Sequence, residues 1–313
     1  MRDPADLYEL RSDLPELSEP VMLVSLDGFV DAGAAGKQAV ATLLDGLQHT
    51  ELATFDIDGL LDYRSRRPVM IFNETTWVSY AEPKLSLTLL HDLEGTPFLL
   101  LHGLEPDRRW EGFTAAVRQL VERLSVRLTV CFYGIPMAVP HTRPVTATPH
   151  ATRPELVTEH TPWVGRIQVP GNIMSLLEYR LGQAGHDVIG YAVHVPSYLA
   201  QSEYPRAGLA VLEYIARVTG LVLPTEKLAE EATRVDGEIN RQVEASEEVQ
   251  RVVRNLEAQY DNFMAVHNGL DVDALLAGDE SRLPTADELG AELERFLAEH
   301  GRGSAEHDRG SEG

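Results

Sequence analysis

Short apolar runs alternate with helix-period patterns along the first 224 residues. Residues 21–26 (Val-Met-Leu-Val-Ser-Leu) predict a strand. Val40, Leu43, Leu44 and Leu47 then recur at three-to-four spacing, which predicts a helix over 34–47 with one buried face. Four further strands are expected at 52–57, 68–72, 84–90 and 97–102, then a helix over about 110–124 and a strand at 126–133. Beyond a Pro- and Thr-rich loop come a strand at 165–169, a helix near 173–181, a strand at 188–195 and a helix over about 206–219. Alternation of this kind predicts a parallel or mostly parallel sheet with helices on both faces. Runs that are apolar at successive positions, such as 98–101, suit strands covered on both sides.

The pattern changes at Pro224. Leu228, Ala232, Val235, Ile239 and Val243, then Val249, Val252, Leu256, Tyr260 and Phe263, mark one face of a long amphipathic helix that bends near 244–248. A second helix is expected from Thr285, where Thr285-Ala-Asp-Glu288 matches a capping box. The chain therefore divides into a leading segment at 1–20, an α/β domain at 21–224, a helical extension at 225–300 and a disordered tail at 301–313.

Charge sharpens that division. The chain carries 27 basic and 49 acidic residues, a net of -22, and residues 225–313 hold 22 of the acids but only 9 of the bases. Such a balance argues against nucleic acid and against an anionic membrane surface as partners. The single cysteine, Cys131, rules out an internal disulfide and sits in an apolar run where a packed, inert thiol is expected. No signal-peptide core and no apolar stretch of about 18 residues is visible, so a cytoplasmic protein without a membrane span is expected.

In an open α/β sheet, ligands bind beyond the carboxyl ends of the strands, and the unusual residues of this chain collect there. After the first long strand comes Asp27-Gly-Phe-Val-Asp31-Ala-Gly-Ala-Ala-Gly36. Its glycine spacing fits neither a dinucleotide fingerprint nor a phosphate loop, and Asp27 and Asp31 would repel a phosphate. A tight strand-to-helix turn competes with a ligand loop here. His102 is followed by Glu105 and Asp107, a carboxylate pair or, for Asp107, a helix cap. His141 and Arg143 lie in a loop stiffened by Pro136, Pro140 and Pro144, either to touch a ligand or to pack on a neighbouring subunit. Ser197 and Tyr198 follow the last strand. No nucleophile elbow is present, and His141, His150 and His160 are too dispersed for a metal set. No cofactor, no metal and no catalytic residue is assigned. Asp27, Asp31, His102, Glu105, His141, Arg143, Ser197 and Tyr198 are the candidates for a ligand site or functional surface.

Five segments in order carry a resemblance: Gly28-Phe-Val-Asp-Ala-Gly33, Asp62-Tyr-Arg-Ser-Arg-Arg-Pro68, Leu104-Glu-Pro-Asp107 with Trp110, Gly134 to Pro144, and Val195-Pro-Ser-Tyr-Leu-Ala200. From about residue 20 to 224 the chain resembles the PAC2 family, which includes the proteasome assembly chaperones, and its acidic extension is similar to that of actinobacterial members. The resemblance implies a three-layer α/β sandwich akin to phosphorylases and hydrolases, self-association as trimers or other homo-oligomers, and proteasome subunits as candidate partners. It supplies no catalytic residues. Members that dock on the proteasome cylinder use a C-terminal hydrophobic-Tyr-any ending. This sequence reads Arg309-Gly-Ser-Glu-Gly313, so that docking mode is expected to be missing. Pro196-Ser197-Tyr198 also stands where the family pattern has Pro-His-Tyr. The sequence thus favours a non-enzymatic, chaperone-like interaction protein. A small-molecule-binding protein or nucleosidase-like hydrolase using the strand-end loops is the alternative, with ATP-dependent ligation last.

Overall fold

A computed structural model describes residues 3–157 and 167–267. The helix expected from Thr285, the tail from Gly301 and His160 lie outside the described residues. In chain order the elements are β1 (Tyr8–Leu10), β2 (Val21–Asp27), α1 (Ala35–Gly46), β3 (His49–Phe55), the single-turn α2 (Ile57–Leu60), β4 (Met70–Asn73), β5 (Thr76–Tyr80), β6 (Leu85–His91), β7 (Pro97–Leu104), α3 (Trp110–Arg123), β8 (Leu128–Met137), β9 (Ala147–Ala151), α4 (Ile173–Gln183), β10 (Val188–Pro196), α5 (Pro205–Thr219), α6 (Glu226–Glu244) and α7 (Glu247–His267).

Eight strands form one sheet in the order β1-β3-β6-β7-β2-β8-β10-β9, and β4 and β5 form a separate hairpin. The mostly parallel, phosphorylase- or hydrolase-like sheet expected from the strand–helix alternation does not form. Only β7–β2, β2–β8 and β8–β10 are parallel. The other four pairings, β1–β3, β3–β6, β6–β7 and β10–β9, are antiparallel. A parallel pair needs a crossover of a dozen or more residues, usually helical. Between β3 and β7 the only helix is the four-residue α2. The β6–β7 connection is a tight turn in which the Asp92 carboxylate accepts the backbone N–H groups of Glu94, Thr96 and Val222. Strands joined so briefly run antiparallel.

Helices cover both faces of this mixed sheet. On one side Ala35, Ala39 and Leu43 of α1 and Val211, Leu212 and Ile215 of α5 pack on Leu23, Val130, Phe132 and Val193. On the other, Phe113, Val117 and Leu120 of α3 and Ile173, Leu177 and Leu181 of α4 pack on Met22, Leu99, Leu101 and Cys131. Cys131 is fully buried, which pushes its thiol pKa well up, and it is a core residue. Residues 8–10 of the leading segment add an edge strand, and part of the Pro/Thr-rich loop pairs as β9 at the opposite edge. Residues 167–169 carry no strand.

The long amphipathic pattern after Pro224 forms two helices broken at Ala245 and Ser246. Its apolar stripe lies on the chain's own body. Leu228 joins the α1/α5 side of the core, Ala232, Val253 and Tyr260 are buried, and Leu256 packs on Tyr198.

Candidate functional site

Asp31 ends the turn after β2, and its carboxylate accepts three backbone N–H groups: Gly36 at 2.9 Å, Lys37 at 3.0 Å and Gly134 of β8 at 2.9 Å. Burial raises its pKa and outweighs the three hydrogen bonds, which act the other way. The glycines serve close approach. Gly33 sits at φ 66°, and a Cβ on Gly134 would stand 2.1 Å from the Ala32 carbonyl oxygen. The turn is therefore a clasp between β2, α1 and β8. Two N–H groups in the first turn of α1, which an anion would otherwise claim, already bond Asp31.

Glu105 and Asp107 both lie against the Arg66 guanidinium, at 3.8 and 3.2 Å. Glu105 is buried, and its Oε1 accepts the N–H of Ile173 at 2.8 Å, at the start of α4. Asp107 does not cap α3, whose N-cap position is Arg109. Its carboxylate accepts the N–H of Asp62 at 2.7 Å and pairs with Arg66 at 3.2 Å. Arg66 also donates to the Asp27 carbonyl at 3.0 Å. These contacts tie the 61–69 segment to the ends of β2 and β7.

Three of the predicted residues, Asp27, Asp31 and His102, do come together. They line a cavity of about 690 Å³ beyond the carboxyl ends of β2 and β7. His102 Nε2 lies 3.0 Å from Thr88 Oγ1, and burial lowers the imidazole pKa, which favours the neutral ring. The remaining walls come from residues with no role assigned at the sequence level: Lys37 of α1, Arg66 and Arg67 before the hairpin, and Lys84 after it. Their signal was visible as Arg64-Ser-Arg-Arg67 in an otherwise acidic chain.

His141, Arg143 and Tyr198 form a second, separate cluster. Tyr198 Oη accepts the backbone N–H of His141 at 2.9 Å and lies 2.6 Å from Nδ1 of the same residue. His141 Nε2 lies 3.1 Å from Asn240 Oδ1 of α6. One tautomer satisfies all three contacts: Nε2–H donates to Asn240, and Tyr198 O–H donates to Nδ1. Arg143 makes a fork to Asp261 at 2.8 and 2.6 Å and reaches Glu257 at 3.1 Å, both on α7. Arg206 pairs with Asp236 alongside. This loop therefore meets α6 and α7 of its own chain. Ser197 opens the turn before Tyr198, and its carbonyl accepts the N–H of Ala200. His150 pairs with Glu178 at 2.7 Å, away from His141. Among the described residues no three His, Cys, Asp or Glu side chains are placed to hold a metal ion.

A third feature escaped sequence reading. The β4–β5 hairpin exposes Val69, Met70, Ile71, Phe72, Trp77, Val78 and Tyr80, with Phe72 54% and Trp77 64% accessible. Both faces of both strands are open. The run 68–72 is expected as a strand, but neither its pairing with 76–80 nor its exposure follows from the sequence pattern.

The fold has known counterparts. The Rv2714 protein of Mycobacterium tuberculosis, of unknown function, is 47% identical over 94% of this chain and 96% of its own, with a TM-score of 0.81. A protein of unknown function from Corynebacterium glutamicum is 41% identical over 82% of this chain and 98% of its own, at 0.79. A proteasome-assembly chaperone homologue of M. tuberculosis, Rv2125, is 24% identical over 74% of this chain and 99% of its own, at 0.66, and shares the fold. A search among curated proteins gives no match. The mixed sheet is thus the PAC2 arrangement, not that of a phosphorylase or hydrolase. The PAC2 family model matches residues 25–243, and the chain belongs to the PAC2 family.

Proposed function

We propose that this protein is a non-enzymatic, self-associating interaction protein whose clients are proteasome subunits. The exposed β4–β5 hairpin carries the reading. An isolated two-stranded hairpin is marginal in water, and monomers rarely expose a contiguous apolar patch of this kind. Between Val69 and Tyr80 the only charged residue is Glu74. In a chain of net -22 this is a stretch where two copies meet with little repulsion, so the occupant is a second copy of the chain. The hairpin's free strand edges also allow pairing between copies.

The proteasome part rests on family membership and on the shared fold of the M. tuberculosis chaperone homologue. It would place the protein in the cytoplasm. No helix among the described residues is long and apolar enough to cross a bilayer. Native mass spectrometry of the full chain, alone and mixed with proteasome α-subunits from the same organism, tests both parts. The expected result is a closed homo-oligomer, a trimer foremost, that captures α-subunits. A monomer at micromolar concentration removes the self-association reading. An oligomer that ignores α-subunits removes the proteasome reading alone.

A further inference from the structure

We propose that the cavity between the carboxyl ends of β2 and β7 and the root of the hairpin binds a small organic anion, a molecule with a phosphate or carboxylate head on an apolar body. The first argument is charge. Lys37, Arg66, Arg67 and Lys84 face this one cavity against Asp27, Asp31 and Glu82, whereas acids outnumber bases 49 to 27 in the whole chain. A concave site with low-dielectric walls focuses such a local excess.

The second argument is what these groups already bond. Arg66 is held by Asp107 and by the Asp27 carbonyl, so it supports the wall. Asp31, which as a free carboxylate would repel an anion, has both oxygens on backbone N–H groups, so Asp27 and Glu82 are the acids left to oppose the cations. Lys37, Arg67 and Lys84 have no side-chain hydrogen-bond or ion-pair partner among the described residues. They come from three separate segments and converge only in the folded chain. An Arg fork together with ammonium groups matches phosphate and carboxylate oxygens.

The third argument is shape. About 690 Å³ lies within the range of small-molecule sites, and Leu26, Val40 and Leu104 supply the apolar wall such sites use to hold a ligand's body. The site is not the α1 N-terminus, whose Gly36 and Lys37 N–H groups are already bonded to Asp31. It adjoins the hairpin's exposed surface through Val69 and Ala81, but the charged groups that carry the argument, Lys37, Arg67 and Lys84, lie outside the two strands.

Ligand-observed NMR on the full chain tests the site with phenyl phosphate, benzoate, inorganic phosphate and phenol as probes. Phenyl phosphate or benzoate is expected to bind saturably with a Kd of about 1 mM or below. Inorganic phosphate should bind more weakly, and phenol should not bind. A preference between the two aromatic anions identifies the head group. Arg67→Gln with Lys84→Gln should weaken binding at least about tenfold, and raising the salt should weaken it in the parent protein. Both residues are exposed, so circular dichroism and the melting curve should be unchanged in this variant. Absence of saturable binding by any of the three anions overturns the site. So does a double variant that binds as tightly as the parent.

Discussion

Two regions at the carboxyl edge of the sheet treat their polar residues in opposite ways. Around His141 the two predicted groups are engaged: Tyr198 and Asn240 take both imidazole nitrogens, and Asp261 and Glu257 take the Arg143 guanidinium, although Asp236 Oδ1 beside them is buried without a partner. Around the hairpin root the reverse holds. Lys37, Arg67 and Lys84 line a cavity without partners, and the strands beyond it show their apolar side chains to solvent. By residue type the first region looks the more functional, because a histidine and an arginine in a Pro-rich loop suggest ligand contact. By partner, His141 and Arg143 fasten α6 and α7, beside a smaller cavity of about 520 Å³, whereas the cations of the second region have no such partners.

The largest effect is expected at the hairpin of the second region. Phe72→Asp with Trp77→Asp puts two charges on the hairpin, whose rings now lie 5.0 Å apart. Analytical ultracentrifugation should find complete conversion of the proposed oligomer to monomer, because like charges then face each other across the contact. The monomer itself should lose only about 1 kcal/mol, the worth of one exposed aromatic pair. An oligomer of unchanged mass would move self-association elsewhere on the surface.

A smaller effect, of opposite kind, is expected in the fastened region. Tyr198→Phe removes one oxygen but leaves both the His141 N–H and Nδ1 without their partner in a buried place. The cost should be about 1–3 kcal/mol by urea denaturation. Measuring it in the monomeric hairpin variant keeps assembly from adding to apparent stability. Oligomer mass should not change in Tyr198→Phe alone. A loss of assembly there would erase the division between the two regions.

Much of this fold could be read from periodicity. The strands at 21–26 and 188–195, the helix stripe of α1, and the break of the long helix near residue 245 all follow from spacing. Strand direction does not, because the strand–helix alternation of the chain as a whole breaks down over residues 49–104, which run strand to strand with only four helical residues between. β9 was hidden by Pro149, which an edge strand tolerates. At the site, residue types were legible and partners were not. His141 meets Asn240 across 99 positions, and Arg143 meets Asp261 across 118. Arg66 and Arg67 belonged to a recognised segment, but only the fold brings Arg67 and Lys84 to one cavity.

The smallest effects separate the fastened groups by pH. Burial lowers the His141 pKa, with the Asn240 hydrogen bond opposing it, so the folded chain prefers the neutral ring. Its contribution is fully present above the unfolded value of about 6.5 and is lost as pH falls through the lower folded value. Urea midpoints should therefore drop between about pH 7 and pH 5, and His141→Gln should flatten part of that drop. His102, also lowered by burial, accounts for a part that survives the substitution. Asp31 has the other sign. Its pKa is raised, chiefly by burial, so its contribution is fully present below about 3.9 and is lost as pH rises through the folded value. Asp31→Asn should remove that acid-side slope and leave the His141 step in place. Any single group can change stability by at most about 1.4 kcal/mol per pH unit, so the two substitutions should alter the slope on opposite sides of the profile without moving the oligomer mass. If His141→Gln left the fall between pH 7 and pH 5 unchanged, burial of the neutral His141 ring would not be a source of that fall.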